Sequence, residues 1–303
     1  MLQVHHVNRS YGDRLVLDDV TFDVHRGRLT GFVGGNGAGK TTTMRIILGV
    51  LAADSGRVQL DGTDLDAAER RFFGYMPEER GLYPKMKVLD QITYLARLHG
   101  VDRGAATRRA TELLERLGLG ERMGDQLDDL SLGNQQRAQI AAALVHQPDV
   151  LVLDEPFSGL DPMAVDVVVG VLAEYAAHGA PVLFSSHQLD VVERLCDDVV
   201  VIAQGQIRAA GPREELRRVH GRARWEIDSA GDMGWLRAAP GVRVQHFDGG
   251  WAVFEADDDA AAQQVLRQAL EQGPVASFAP VQSTLAEIFR EVIKDEDETE
   301  VAR

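Results

Sequence analysis

The sequence predicts an α/β fold built on a mostly parallel sheet. Apolar runs at 149–153, 181–185 and 199–202 are typical of strands buried on both faces. Helical patterns separate these runs, and alternating strands and helices favour a doubly wound parallel sheet. We expect three additions to this core: an N-terminal antiparallel β subdomain, an inserted helical subdomain and a small C-terminal α+β domain.

The first thirty or so residues read as antiparallel strands. Segment 15–24 alternates apolar and polar residues, which is typical of a strand with one solvated face, and Arg26-Gly27 marks a turn. Tyr11 precedes Gly12 in another predicted turn. An exposed tyrosine there could stack on a purine ring, and a half-buried tyrosine at a strand end fits the sequence equally well.

A glycine-rich loop between an apolar strand and a helical pattern carries the strongest chemical signal. It fits the spacing G-x-x-x-x-G-K-[ST], the phosphate-loop motif. Glycines let backbone N–H groups point at phosphate oxygens, and the following helix adds its positive end. We therefore predict a P-loop NTPase core, with Lys40 on the β- and γ-phosphates and the Thr41 hydroxyl on Mg²⁺. The predicted nucleotide-binding residues are Gly34, Gly35, Asn36, Gly37, Ala38, Gly39, Lys40, Thr41 and Thr42.

The helical patterns between Val88 and His146 interrupt the α/β order and indicate a helical subdomain at about 85–148. We place the ATP-binding domain at 1–220 and a C-terminal α+β domain at 221–294. A helix from Arg213 to His220 joins them. No catalytic constellation is visible in the C-terminal domain, so we expect an interaction or regulatory role for it. Residues 295–303 contain the acidic run 295–300 and are expected to be a solvated acidic tail.

Two acids stand directly after the first buried strand, and a histidine follows the next one. The carboxyl edge of a parallel sheet is where ligands bind, and unpaired carboxylates are costly to bury. We predict that Asp154 holds Mg²⁺ and that Glu155 orients the attacking water. His187 lies where it could contact the γ-phosphate and that water.

The bulk composition restricts the partners and the compartment. A formal net charge of −15 argues against a nucleic-acid partner, because phosphate backbones require clustered Lys and Arg. The single cysteine, Cys196, fits a reducing cytosol and is expected to be buried. The sequence shows no signal peptide and no run of about 18 apolar residues, so we expect a cytoplasmic chain.

These motifs, in this order, resemble an ABC-type ATPase, the ATP-binding subunit of an ATP-binding cassette transporter. The resemblance covers residues 1 to about 220. Segment 130–137 is similar to the family's signature motif, 153–156 to its second phosphate-site motif and 158–162 to its D-loop. His187 matches the family's switch histidine, and Tyr11 matches its adenine-stacking aromatic. Segment 77–84 and the C-terminal domain resemble a subgroup of bacterial exporters for sodium or drugs.

The resemblance implies a head-to-tail dimer with two ATP molecules between its subunits. Each ATP would lie between Lys40 of one chain and Ser131 and Gly133 of the other. Glu155 would act on the water, and His187 would bridge it to the γ-phosphate. Glu78 stands where the family usually has glutamine, and its carboxylate could also serve Mg²⁺.

The expected partners are a second ATP-binding subunit, as a homodimer, and an integral membrane permease contacted through segment 78–86. This would place the chain on the inner face of the cell membrane. The alternative from another class is a soluble ABC-type ATPase acting on DNA, chromosomes or ribosomes. The long coiled-coil insertions or second cassette typical of such proteins are absent from the sequence. A third alternative, a module that senses ATP without hydrolysing it, is disfavoured by the presence of Glu155 and His187.

Overall fold

The structure, a computed structural model, describes residues 1–79, 81–220, 224–281 and 284–289. The chain divides into two units, Met1–Arg213 and Glu214–Arg303. The predicted acidic tail at 295–303 lies outside the described residues. The sequence also shows a helical pattern at 284–293, and the end of that pattern lies outside them too. The domain boundary predicted after residue 220 stays a prediction.

The described part of the first unit combines strands and helices and contains the short 3₁₀ segments Gly120–Arg122 and Leu127–Asp129. Its elements in chain order are β1 (Leu2–Tyr11), β2 (Arg14–Val24), β3 (Leu29–Val33), α1 (Lys40–Ile47), β4 (Ser55–Leu60), β5 (Thr63–Asp64), α2 (Ala67–Arg70), β6 (Phe73–Met76), α3 (Val88–Leu98), α4 (Arg103–Arg116), α5 (Leu132–Leu144), β7 (Val150–Leu153), α6 (Pro162–Ala177), β8 (Val182–Ser186), α7 (Leu189–Leu195), β9 (Asp198–Ala203) and β10 (Gln206–Pro212).

Six of these strands form the central sheet in the order β10-β9-β3-β8-β7-β6. Five run parallel, and β10 joins one edge antiparallel to β9. Every residue of β3, β7 and β8 is buried, as the continuous apolar runs predict. The predicted mostly parallel, doubly wound sheet is confirmed. The carboxyl ends of β3, β7 and β8 therefore meet at one edge of the sheet.

The central sheet is covered on both faces. On one face, the predicted antiparallel sheet, in the order β2-β1-β4-β5, packs with α1 in a single apolar core. Phe22 of β2 and Phe32 of β3 meet in this core with ring centroids 5.2 Å apart. On the other face, Val192 and Cys196 lie so close to Gly31 that a Cβ there would meet both at 2.7 Å. Cys196 is buried, as predicted.

Helices α3, α4 and α5 contact one another, and α5 also contacts β6 of the central sheet. Side-chain caps define where two of them begin: Asp102 accepts a hydrogen bond at the start of α4, and Ser131 does so at the start of α5. Among the described residues, no helix is long and apolar enough to cross a membrane.

The second unit is an α+β arrangement, as predicted. Its elements in chain order are α8 (Arg213–His220), which begins at the boundary, β11 (Arg224–Ser229), a 3₁₀ segment (Gly234–Ala238), β12 (Val242–Asp248), β13 (Trp251–Ala256), α9 (Asp259–Gln272) and β14 (Val275–Val281). Residues 285–289 are also helical. The sheet is antiparallel in the order β12-β13-β11-β14, and the core combines Ile227 and Phe254 of the sheet with Val265 of α9.

Candidate active site

Two glycines of the loop between β3 and α1 occupy positions that disfavour any residue with a side chain. Gly39 precedes α1 with φ of 110°, a left-handed conformation that disfavours side chains. A Cβ on Gly34 would lie 2.4 Å from the Ile202 carbonyl oxygen. Lys40 is only 9% exposed, and its Nζ donates to the carbonyls of Gly34 (2.7 Å) and Gly35 (3.1 Å). An ammonium has three donors, so a further N–H can reach a phosphate.

Asp154, at the carboxyl end of β7, ties the loop to the sheet. It is 1% exposed, and its Oδ2 accepts a hydrogen bond from Thr41 Oγ1 at 2.9 Å. Its Oδ1 accepts from Ser185 Oγ of the adjacent β8 at 2.5 Å. A hydroxyl and a carboxylate side by side are the oxygen ligands that Mg²⁺ prefers, so this pair fits the ion.

Mg²⁺ at such sites keeps waters and binds substrate phosphates, so it does not need an all-protein cage. Within the described part of the chain, no group of three or more His, Cys, Asp or Glu side chains could hold a metal. The pair Thr41 and Asp154 therefore matches the kind of magnesium site that a nucleotide completes.

Glu155 has an uncommon backbone, with φ of 53°, which costs a non-glycine residue free energy. Its N–H donates to Ser185 Oγ at 2.8 Å, and that contact helps to hold the conformation. Its side chain is 11% exposed, and Oε2 lies 2.9 Å from His187 Nδ1. His187 itself is 57% exposed. A carboxylate and an imidazole in contact at the rim of a sheet can share the positioning of a water.

A cleft of about 590 Å³ brings these groups together. Tyr11 lies at the cleft with 48% of its surface exposed. The Arg9 guanidinium sits 5.0 Å from the Tyr11 ring centroid and bonds Asp54 at 2.6 Å, so a cation–π contact supports the ring. The lining residues are Tyr11, Arg14, Val16, Asn36, Gly37, Ala38, Gly39, Lys40, Thr41, Thr42, Glu78, Asp154 and Glu155.

The N-terminal end of α5 lies apart from the walls of this cleft. Ser131 caps the helix by accepting a hydrogen bond from the Asn134 N–H at 3.4 Å. The adjacent Leu132 is 60% exposed, an unusual fraction for a leucine. A Cβ on Gly133 would lie 3.3 Å from the Gly159 carbonyl oxygen. The helix start thus offers free N–H groups and a hydroxyl to a ligand outside this chain's own cleft.

Two family models match the chain. The model described as "ABC transporter" matches residues 17–158. The model described as "ATP-binding protein DrrA1-3-like, C-terminal domain" matches residues 211–293. The two matches lie in different parts of the chain, one over the phosphate loop and the acids, the other over the C-terminal part.

An "Uncharacterized ABC transporter ATP-binding protein YhaQ" of Bacillus subtilis is 34% identical over 97% of this chain and 98% of its own. The chain belongs to the ATP-binding subunits of ABC transporters. A "Nod factor export ATP-binding protein I" of Cupriavidus pinatubonensis is 36% identical over 71% of this chain and 67% of its own. A solved "ATP binding subunit of ABC transporter" is 34% identical, covers 72% of this chain and 92% of its own, and superimposes with a TM-score of 0.67.

Membership in this family makes the chain an ATP-binding ABC ATPase. Of its predicted site residues, the structure places Tyr11, residues 36–42, Glu78, Asp154 and Glu155 along one cleft. Gly34 and Gly35 contribute carbonyl contacts to Lys40. His187 reaches the cleft through Glu155.

Ser131 and Gly133 of this ABC ATPase do not line its own cleft. Sequence reasoning missed Arg14 and Val16 of the wall and Ser185 between the acids. The register of the β1–β2 hairpin sets Arg14 opposite Tyr11. Ser185 follows the apolar run of β8 directly, so its position at a strand end was a readable signal.

Proposed function

We propose that the chain is the ATP-hydrolysing subunit of an ABC exporter, acting as a head-to-tail homodimer coupled to a separate membrane permease. The observation that carries this is the hydrogen-bonded pair of Glu155 and His187 beside the Thr41–Asp154 contact. Export is supported by the relative named for Nod factor export and by the match of the C-terminal part to the DrrA1-3-like model.

The cleft offers each part of ATP a partner. The exposed Tyr11 ring, supported on one side by Arg9, presents an aromatic surface to adenine. The loop N–H groups and Lys40 would bind the β- and γ-phosphates. Thr41 and Asp154 would hold Mg²⁺, with Glu78 at the same cleft. The ion would neutralise charge on the phosphate oxygens.

Glu155 and His187 would carry the hydrolysis. The Glu155 carboxylate orients a water whose oxygen attacks the γ-phosphorus, and the bond from that phosphorus to the β–γ bridging oxygen breaks. ADP leaves with this oxygen, and the water proton passes by way of the Glu155 carboxylate to an oxygen of the released phosphate. His187, bonded to Glu155 through Nδ1, can hold that carboxylate in orientation and contact the γ-phosphate from its other nitrogen.

A second copy of the chain would complete the site. The start of α5 presents Ser131 and Gly133 away from their own cleft, with the positive helix end exposed. In a head-to-tail pair, this end would meet the γ-phosphate bound to Lys40 of the partner copy. Bound ATP would then favour the closed dimer, and loss of the γ-phosphate would let the two subunits separate.

The permease would dock at segment 78–86 and the neighbouring helix α3, which would hold the chain on the inner face of the membrane. Gln91 of α3 fixes this segment through both Tyr83 N (2.5 Å) and Tyr83 O (3.2 Å). Tyr83 is 63% exposed, and α3 exposes Tyr94 and Leu98 one turn apart. Exposed apolar side chains of this kind mark interaction sites.

The proposed role of Glu155 can be tested with Glu155→Gln. Glutamine keeps the size and loses the charge that orients water, so kcat for ATP hydrolysis should fall by about 100-fold or more while the Kd for ATP changes less than about twofold. Glu174→Gln is the matched control, because Glu174 is exposed and bonds Arg116 away from the cleft.

An unchanged rate in Glu155→Gln would remove Glu155 from this role. A wild-type chain that binds ATP and shows no hydrolysis at any protein concentration would contradict the proposed function.

A further inference from the structure

Two glutamines on the inner face of α5 are more buried than their polarity favours. Gln136 and Gln139 are each 4% exposed. They lie three residues apart, so both point from the same side of the helix. A buried amide costs free energy unless its N–H groups are bonded, and an apolar side chain of similar length would fill the same space without that cost. Their hydrogen bonds therefore explain why amides stand here.

Gln139 holds the segment that carries Glu78. Its Nε2 donates to the Pro77 carbonyl at 2.6 Å and to the Glu79 carbonyl at 3.3 Å. These carbonyls flank Glu78 on both sides, so one side chain fixes the backbone before and after it. Glu78 is exposed and lines the cleft. Gln139 of α5 therefore fixes the orientation in which Glu78 would face a bound nucleotide.

Gln136 makes similar hydrogen bonds to the backbone that carries Glu155. Its Nε2 donates to the carbonyls of Glu155 (2.9 Å) and Pro156 (3.1 Å). Glu155 has the strained backbone described above, and a strained residue keeps its conformation only when its surroundings hold it. The N–H of Glu155 donates to Ser185 Oγ. Its carbonyl accepts from Gln136 Nε2 and from the Ser158 N–H (3.2 Å), so the glutamine contributes one of three hydrogen bonds that hold this backbone.

We propose that Gln136 and Gln139 are positioning residues through which α5 sets the two acid-bearing segments of its own cleft. The same helix begins at Ser131, which under the proposed function meets the ATP of the partner copy. A displacement of α5 by that ATP would move the carbonyls around Glu78 and Glu155 together. Through Gln136 and Gln139, the contact of Ser131 with the partner's ATP would therefore change the positions of Glu78 and Glu155 in the chain's own cleft. This inference rests on the proposed function.

The first test replaces Gln139 with methionine in the full chain, which keeps the length and removes both donors. A misplaced Glu78 should lower kcat by about tenfold and leave the Kd for ATP within about twofold. Tyr175→Phe is the matched control, because it removes a hydrogen bond to the backbone of the same helix, from Tyr175 Oη to the Leu144 carbonyl at 2.6 Å, away from the cleft. Equal kcat values in Gln139→Met and Tyr175→Phe would overturn the proposal.

A double-mutant cycle separates positioning from packing. If Gln139 acts through Glu78, then adding Gln139→Met to Glu78→Ala should lower kcat by less than about twofold further. A general packing defect would lower kcat by the same factor in both backgrounds, and that result would overturn the proposal. Gln136→Met should likewise add less than about twofold to Glu155→Gln.

Gln139→Glu is the second variant if the methionine variant does not fold. It keeps the shape and turns carboxylate oxygens toward the carbonyls of Pro77 and Glu79, so kcat should fall at least as far. A folded Gln139→Glu chain with the wild-type rate would contradict the inference and leave the proposed function intact. Absence of hydrolysis in the wild-type chain would instead count against the proposed function.

Discussion

The two units differ in where they bury polar side chains. Among the described residues, the first unit buries eleven polar or charged residues, and most of those along its cleft have hydrogen bonds to the phosphate loop or the acids. The second unit buries one, Ser229. Its polar side chains meet instead at partly exposed positions, where Arg224 pairs with Glu287 and Trp251 donates to Glu226.

Sheet topology explains this difference. Parallel strands end at one edge, so the polar residues that follow β3, β7 and β8 are brought together. In the antiparallel sheet of the second unit, consecutive strands end at opposite edges, and polar residues meet across the strands. Buried polarity therefore marks a site in the first unit, and paired polarity stabilises the sheet in the second.

Of two stability changes that would test this difference between the units, the larger is expected from the Arg224–Glu287 pair. Both terminal guanidinium nitrogens of Arg224, Nη1 and Nη2, donate to the Glu287 carboxylate, and the Arg224 side chain is only 10% exposed. Glu287→Gln removes the carboxylate charge from this ion pair and should lower the free energy of unfolding of the second unit by about 2 kcal/mol. All three tryptophans (Trp225, Trp235 and Trp251) lie in this unit, so their fluorescence in a urea titration reports its unfolding.

The same substitution should change the acid dependence of that transition. The hydrogen bond from Arg224 lowers the pKa of Glu287 to about 2, from an ordinary value of 4.5. The carboxylate therefore stabilises the unit above about pH 4.5, and this contribution is lost as the pH falls toward 2. Glu287→Gln should remove it and leave ATP hydrolysis unchanged. A fall in kcat would show that the second unit takes part in catalysis and would break the comparison.

His146 gives a smaller effect in the first unit. Burial, with a contribution from the stacked His99 ring at 3.8 Å, lowers the pKa of His146 to about 4, from an ordinary value of 6.5. The unfolded chain thus binds the proton first, and stability falls as the pH drops from 6.5 toward 4. Since His146 is only partly buried, we expect a loss of about 1 kcal/mol from about pH 7 to about pH 5.

Far-UV circular dichroism in urea at the two pH values measures this loss, and His146→Gln is the control. The variant should lose less stability than the wild type over the same interval. An equal loss in both chains would show that other groups cause the pH dependence.

Much of the fold follows from local patterns. The buried strands β7, β8 and β9 correspond to apolar runs in the sequence, and the side chains of Ser131 and Asp161 cap the starts of α5 and α6. In the second unit, β12 and β14 were not predicted. Pro280 lacks a backbone N–H and argues against a strand, yet β14 lies at a sheet edge, where such a residue is tolerated.

The candidate site, like the fold, contains residues that local sequence patterns predict and residues that they do not. The phosphate loop and the acids are readable because strand, glycine loop and helix are adjacent in sequence. Gln139 was not readable, because it contacts the carbonyl of Pro77, sixty-two residues earlier in the chain. Its position depends on how α5 packs against β6, and a glutamine within a helix is otherwise ordinary. Contacts that require tertiary packing are therefore the part that sequence patterns do not predict.

In the proposed head-to-tail dimer, Lys40 and Ser131 of one chain would serve two different sites. Lys40→Ala removes the phosphate contact, and Ser131→Glu places a carboxylate where the partner's γ-phosphate would lie, so each variant alone should be inactive. Mixing them should restore about a quarter of the wild-type ATPase rate, because half of the dimers are mixed and each mixed dimer holds one intact site of two. A mixture that stays inactive while mixed dimers form would contradict the composite site.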